Sequence, residues 1–123
     1  MEWNGTLNMR VASKKNSKRV FLNRATGKPV VTSSQAFATF HDEAVFKLRT
    51  QRPHPPIDQP FECWMSFELK GKMDADLDNL QTSILDVLTD AGVIADDALC
   101  VHLDTRKRLG CSDFKTDIRI LTV

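Results

Sequence analysis

The stretch FECWMSFELKGKMDADLDNLQTSILDVLTDAG, residues 61–92, contains the clearest strand and the clearest helix of the chain. Over residues 61–69, apolar side chains at alternate positions predict a β-strand with one buried face. From residue 77 onward, apolar side chains recur every three or four residues, which predicts an amphipathic helix, and Gly92 stands where a left-handed C-cap belongs. The apolar stripe of this helix is Leu77, Leu80, Ile84, Leu88 and Ala91.

Weaker patterns precede this stretch. Alternation over residues 7–11 predicts a first strand that ends in the polar residues 13–17, so that the basic residues there lie on a loop. Two short apolar runs, residues 20–22 and 30–31, flank the sequence TGKP at residues 26–29 and predict a hairpin around a glycine-containing turn.

A second helix and two closing strands complete the pattern. Apolar residues at helical spacing over residues 37–48 predict an amphipathic helix, capped by Ser33 or Ser34, that ends before the proline-rich residues 53–56. Alternation predicts strands at residues 99–103 and 114–120, joined by a polar link over residues 105–113.

Strand segments outnumber the two helices and do not alternate with them regularly. This order predicts an α+β fold of two layers, with two main helices packed on a mixed β-sheet. A chain of 123 residues, 41% hydrophobic and 27% charged, is typical of one domain, so residues 1–123 are expected to form a single domain.

The cysteines and the apolar runs exclude several classes of protein. Cys63, Cys100 and Cys111 are odd in number and form no C-x-x-C pair, so neither a disulfide framework nor a zinc site is indicated. No apolar run approaches the roughly 20 residues that span a bilayer, and no apolar signal-peptide core follows the N-terminus. A cytoplasmic protein in a reducing compartment is expected.

The formal net charge of +1 conceals a strong separation of charge along the chain. Residues 3–41, the basic segment, hold seven Lys and Arg and no acidic residue, whereas residues 73–105, the acidic segment, hold eight Asp and no Lys, Arg or Glu. This separation suits an enzyme that grips a phosphate backbone and presents it to metal ions. Two solvated faces would explain the same charges.

The acidic residues begin with DADLDN, residues 74–79, which we call the acidic loop. Carboxylates this close repel one another unless a cation is bound, which favours a site for a hard metal. Helix initiation is the alternative, because Asp76 or Asp78 can supply the N-cap and Asp78 with Gln81 resembles a capping box. An EF-hand is excluded, because its glycine and its bidentate Glu would fall on Asn79 and Leu85.

A second acidic pair, Asp96-Asp97, precedes the strand at residues 99–103, and a surface turn alone would also explain it. Together, the DLDN of residues 76–79, then Asp86, Gly92 and the Asp96-Asp97 pair, with SKKNSKRV at residues 13–20, resemble the RusA family of Holliday-junction resolvases. The resemblance implies a homodimer that binds four-way DNA junctions and nicks two strands symmetrically with Mg²⁺ or Mn²⁺. Many relatives are encoded by phages or prophages.

The resemblance also implies which residues act, in a metal-assisted hydrolysis that needs no covalent enzyme intermediate. Asp76, Asp78 and Asp97 would be the catalytic, metal-binding carboxylates, with Asp74, Asp86 and Asp96 as neighbours of undefined role. The DNA-binding residues would be Lys14, Lys15, Asn16, Lys18 and Arg19.

At one position the chain departs from the family pattern, which has a Lys where this sequence has Thr82. Either Lys14, Lys15 or Lys72 replaces that charge, or the protein binds junctions and cuts them poorly. One alternative is a non-catalytic protein that binds branched DNA and uses the acidic cluster only for structure. Another is a nuclease that prefers other branched substrates, such as flaps or forks, because branch selectivity depends on the geometry of a dimer. The three histidines have no ligand spacing and receive no role.

Overall fold

The computed structural model describes residues 1–13, 18–22, 25, 29–33 and 35–123, and of residues 18–22 and 29–33 it describes the backbone. None of the helices in these ranges is long and apolar enough to cross a membrane. The elements, in chain order, are β1 Glu2–Leu7, β2 Lys18–Leu22, β3 Pro29–Ser33, α1 Gln35–Arg49, β4 Phe61–Lys70, α2 Leu77–Asp90, a short 3₁₀ turn Asp97–Leu99, β5 Cys100–Cys111 and β6 Lys115–Thr122.

Four strands form the main sheet, in the order β1-β6-β4-β5. Strand β6 runs antiparallel to both β1 and β4, whereas β5 runs parallel to β4 and is reached through α2. The prediction of an α+β fold with a mixed sheet and two helices is confirmed. Strands β2 and β3 pair antiparallel in a separate two-stranded sheet, which confirms the predicted hairpin.

The core lies between the helices and one face of the sheet. Every second residue of β4, from Phe61 to Leu69, is buried, as the alternation predicted. Opposite them, β6 buries Thr116, Ile118 and Ile120 on the same face. Both helices turn their apolar stripes into this cluster and contact each other, so the fold has two layers.

Helix α2 ends with the left-handed C-cap that was predicted at Gly92. Gly92 has φ +78°, and its N–H donates to the Thr89 carbonyl at 3.1 Å, while the Val93 N–H donates to the Leu88 carbonyl at 3.0 Å. These two bonds form a Schellman motif, which satisfies carbonyls that the last turn leaves unpaired. The chain therefore reverses at Gly92 and brings the next residues back toward α2.

The first strand lies earlier than predicted: β1 spans Glu2–Leu7, and the prediction of a strand at residues 7–11 is wrong. The side chains of β1 that face the core are those of Trp3 and Leu7, with Gly5 between them. Because Gly5 has no side chain, the apolar alternation is interrupted in the sequence. The Trp3 indole covers Gly5 instead, and its Nε1 donates to the Gln51 carbonyl at 2.7 Å.

The polar link predicted over residues 105–113 is also wrong, because β5 continues as a strand to Cys111. Two of its core-facing positions, Thr105 and Lys107, pair with Met65 and Phe67 of β4. They are polar because they contact α2 and the loop before it, and this polarity conceals the strand pattern. The basic residues that were placed on a loop, Lys14 and Lys15, lie outside the described residues, and β2 begins after them at Lys18.

Candidate metal centre

The acidic loop leads directly into α2. The Leu80 N–H donates to the Asp76 carbonyl at 3.1 Å, so Asp76 occupies the N-cap position. Within the described part of the chain, its carboxylate accepts no capping hydrogen bond. The capping box proposed for Asp78 is wrong, because Asp78 lies in the first turn and the Gln81 side chain accepts from the Thr105 hydroxyl at 3.1 Å. Helix initiation therefore does not occupy the Asp76 carboxylate.

Asp74 has a partner that the sequence did not indicate. Lys107 Nζ donates to Asp74 Oδ1 at 2.8 Å and to the Ala75 carbonyl at 2.9 Å. The same carboxylate oxygen accepts from the Ala75 N–H at 2.8 Å. The hydrogen bond from Lys107 is the main reason that the pKa of Asp74 lies below its ordinary value.

The second acidic pair lies at the 3₁₀ turn, where Asp96 Oδ1 accepts from the Ala98 N–H at 2.9 Å. A hydrogen bond shared with the Asp96 carboxyl, followed by desolvation and by the charges of Asp96 and Asp86, raises the pKa of Asp97. Asp86 belongs to α2, two turns after Asp78. We call Asp86, Asp96 and Asp97 the Asp97 group.

The predicted ligands therefore lie in two places along α2. Asp76 and Asp78 are at its beginning, whereas Asp97 is near Asp86. Eight residues of helix between Asp78 and Asp86 correspond to a rise of about 12 Å, which is too long for one ion to bridge. Among the residues that the structure describes, no three His, Cys, Asp or Glu side chains are grouped so that they could hold a metal ion.

The donor chemistry nevertheless fits a hard divalent cation. Carboxylate oxygens are the ligands that Mg²⁺ and Mn²⁺ prefer, and Mg²⁺ is usually held by one or two carboxylates together with water and substrate phosphates. Asp76, Asp78, Asp96 and Asp97 are all exposed, so a phosphate backbone can approach them. Within the described ranges, no Lys or Arg forms a salt bridge with any member of the Asp97 group.

The structure describes the surroundings of Thr82 and of two lysines, Lys72 and Lys107, near the acidic loop. Thr82 is exposed on α2, and its hydroxyl donates to the Asp78 carbonyl at 2.7 Å. Lys72 is exposed in the turn before the acidic loop. Among the residues whose side chains the structure describes, Lys107 donates directly to this loop, and sequence reasoning missed it because it fell in the predicted polar link. Only the parallel register of β5 with β4 shows where it points.

The structure describes only some of the predicted DNA-binding residues. Lys14, Lys15 and Asn16 lie outside the described residues. The backbones of Lys18 and Arg19 pair with Ser33 and Thr32 in the hairpin of β2 and β3. Their role in binding DNA stays a prediction.

The hydrogen bond that Asp97 shares with Asp96, together with desolvation and the like charges around it, predicts that Asp97→Asn stabilises the metal-free fold. Because the folded-state pKa of Asp97 is raised, the stability that this group contributes is present at low pH and is lost as pH rises through that pKa. The Asn amide donates to Asp96 at every pH. We expect the variant to melt about 1–2 °C higher than wild type at pH 7 in EDTA, a small shift because the group is exposed to solvent. At pH 3 the gain should vanish, and a variant that melts lower at pH 7 would contradict this account.

Comparison with models of protein families finds no match for this chain. Comparison with curated proteins finds no significant match either.

Proposed function

We propose that the protein is a metal-dependent endodeoxyribonuclease that binds four-way DNA junctions and resolves them by paired symmetric nicks, in DNA recombination and repair. The observation that carries this proposal is that the acidic loop and the Asp96-Asp97 pair, which are separate in the sequence, both lie along α2 with exposed carboxylates. The resemblance of the DLDN motif and the Asp96-Asp97 pair to the RusA family supplies the substrate.

In this role Asp76 and Asp78 hold one Mg²⁺ or Mn²⁺ ion at the start of α2, and Asp97 holds another, with Asp86 and Asp96 beside it. Such a cation supplies Lewis acidity for the hydrolysis of a phosphodiester bond. The carboxylates bind and orient, and their exposure leaves room for a DNA backbone beside α2. The pKa of Asp97 is raised by its hydrogen bond with the Asp96 carboxyl, by desolvation and by the charges of Asp96 and Asp86, and cation binding would offset the last of these causes.

The basic segment and a second copy of the chain complete the proposed complex. Positive charges on residues 14–19 would contact phosphates and give the affinity a strong dependence on salt. Two nicks placed symmetrically on a junction need two active sites related by a two-fold axis, which a homodimer provides.

A labelled four-way junction tests the proposal directly. With Mg²⁺ we expect paired nicks at symmetric positions, no cutting in EDTA, and at least tenfold slower cutting of a linear duplex of the same sequence. Light scattering is expected to give twice the mass of one chain. A protein that remains monomeric with junction DNA, or one that cuts linear duplex equally fast, would exclude junction resolution.

A second candidate is a protein that binds branched DNA without cutting it. It is favoured by the absence, among the described residues, of a ready three-carboxylate group, and by Thr82 in place of a lysine. The junction assay separates the two functions, because this candidate binds the junction and leaves both strands intact. Faster cutting of flaps or forks than of four-way junctions would instead indicate a nuclease with another branched substrate.

A further inference from the structure

Lys107 lies at an unusual place for a lysine. Strand β5 is an edge of the main sheet, and Lys107 is paired with Phe67, a buried core residue of β4. Its side chain therefore begins on the helix-covered face of the sheet. It extends to the loop before α2, and the side chain is only 28% exposed. A lysine in this position is constrained by its surroundings more than an ordinary surface lysine is.

The Lys107 ammonium group donates hydrogen bonds to two oxygen atoms of the acidic loop. Lys107 Nζ donates to Asp74 Oδ1 at 2.8 Å and to the Ala75 carbonyl at 2.9 Å. Asp74 Oδ1 also accepts from the Ala75 N–H, so both backbone polar groups of Ala75 are bonded to this pair. The next residue in the chain is Asp76.

Other contacts fix the same region from the sheet. Before the acidic loop, the Gly71 N–H donates to the Cys111 carbonyl at 3.0 Å. After the acidic loop, the Thr105 hydroxyl donates to the Gln81 side chain in α2. The hydrogen bonds of Lys107 lie between these two contacts, where the acidic loop leads into α2. Because the Asp76 carboxylate accepts no capping hydrogen bond from the described chain, its direction depends on the backbone that Lys107 holds.

We propose that Lys107 is a positioning residue, which holds the backbone at Asp74 and Ala75 so that the carboxylates of Asp76 and Asp78 point toward a bound divalent cation. This role rests on the proposed function. Asp74 then acts as the partner of Lys107 and is not itself a ligand. Residues that orient metal ligands from outside commonly change metal affinity or activity by about 10–100-fold when they are replaced.

The test compares Lys107→Met, Lys107→Arg and Lys115→Met. Met keeps the length of the side chain but cannot donate, whereas Arg keeps both charge and donors. Lys115 is a matched control, because it also lies on a strand and has an acidic neighbour, Asp117, at 3.7 Å, on the opposite face of the sheet. Mn²⁺ affinity is measured by electron paramagnetic resonance without DNA, and kcat and KM are measured with the junction.

We expect Lys107→Met to weaken Mn²⁺ binding about tenfold and to lower kcat by a similar factor, with KM for the junction within about twofold of wild type. Lys107→Arg should recover most of the affinity, and Lys115→Met should match wild type. The direction is informative, because removing a positive charge near a cation would by itself tighten binding.

If wild type binds Mn²⁺ and Lys107→Met binds it equally or more tightly, the role of Lys107 is overturned while the proposed function stands. The same holds if Lys107→Arg is as weak as Lys107→Met. If wild type binds no Mn²⁺, both proposals are overturned. Melting temperatures of all variants establish that each one is folded.

Discussion

Asp78→Asn is expected to reduce the rate of junction cutting at least a hundredfold, while junction binding stays equal or becomes tighter. Asn has the size of Asp and retains an oxygen that can accept the Asn79 N–H, a bond of 3.0 Å in the structure, so α2 should remain intact. The variant loses the negative charge that attracts the cation and repels phosphate. A hundredfold loss corresponds to about 2.7 kcal/mol of transition-state stabilisation.

Single-turnover cutting of a labelled junction, with Mg²⁺ titrated, measures this loss. Asp42→Asn is the matched control, since Asp42 is exposed on α1 and should cut like wild type. Gel-shift titration in Ca²⁺ or EDTA gives the junction affinity of each variant. If Asp78→Asn cut as fast as wild type at limiting Mg²⁺, Asp78 would be removed from the proposed site.

Gly5→Ala is expected to lower the free energy of unfolding by about 2–3 kcal/mol, and with it the melting temperature by about 10 °C. A Cβ at Gly5 would lie 2.3 Å from Cη2 and 2.8 Å from Cζ2 of Trp3. Trp3 is only 7% exposed and is held by its hydrogen bond to the Gln51 carbonyl, so the ring cannot move without losing contacts.

Urea unfolding of Gly5→Ala and Gly110→Ala separates crowding from backbone strain. Gly110 has φ +71°, and no described atom lies within 4 Å of the place where its Cβ would be. Its substitution should cost only about 1 kcal/mol, from the left-handed backbone alone. A smaller effect at Gly5 than at Gly110 would mean that the Trp3 ring moves freely, contrary to its packing.

The strands and helices that were predicted correctly are those that pack against the core with only one face. Strand β4 and helix α2 each bury one face and leave the other partly or fully accessible to solvent, so their periods are visible in the sequence. Strand β1 was misplaced because one core-facing position is Gly5, whose place is filled by another residue's ring. The second half of β5 was missed because Thr105 and Lys107 face α2 and its loop with polar groups.

Some residues of the candidate site were indicated by the sequence, whereas the contacts between distant residues were not. The acidic loop was predicted because its carboxylates are adjacent in sequence and precede a clear helix. The pairing of Lys107 with Asp74 joins residues 33 positions apart and depends on the register between β4 and β5, which no local pattern specifies. The approach of Asp86 to Asp97 depends on the reversal at Gly92. That glycine was predicted, but the electrostatic influence of Asp86 on Asp97 was not.

The pairing of β1 with β6 determines when the sheet can be completed. Glu2 lies opposite Leu121, and Leu7 lies opposite Thr116, so β1 pairs with a strand from which residues 8–114 separate it. A ribosome must therefore release residues 8–114 and then β6 before β1 finds its partner, and until then Trp3 and Leu7 stay without their final packing. Contacts between such distant residues slow folding, because a long loop must close before they form. The nascent chain consequently passes through a period in which an unpaired strand that carries Trp3 and Leu7 is open to association with other chains.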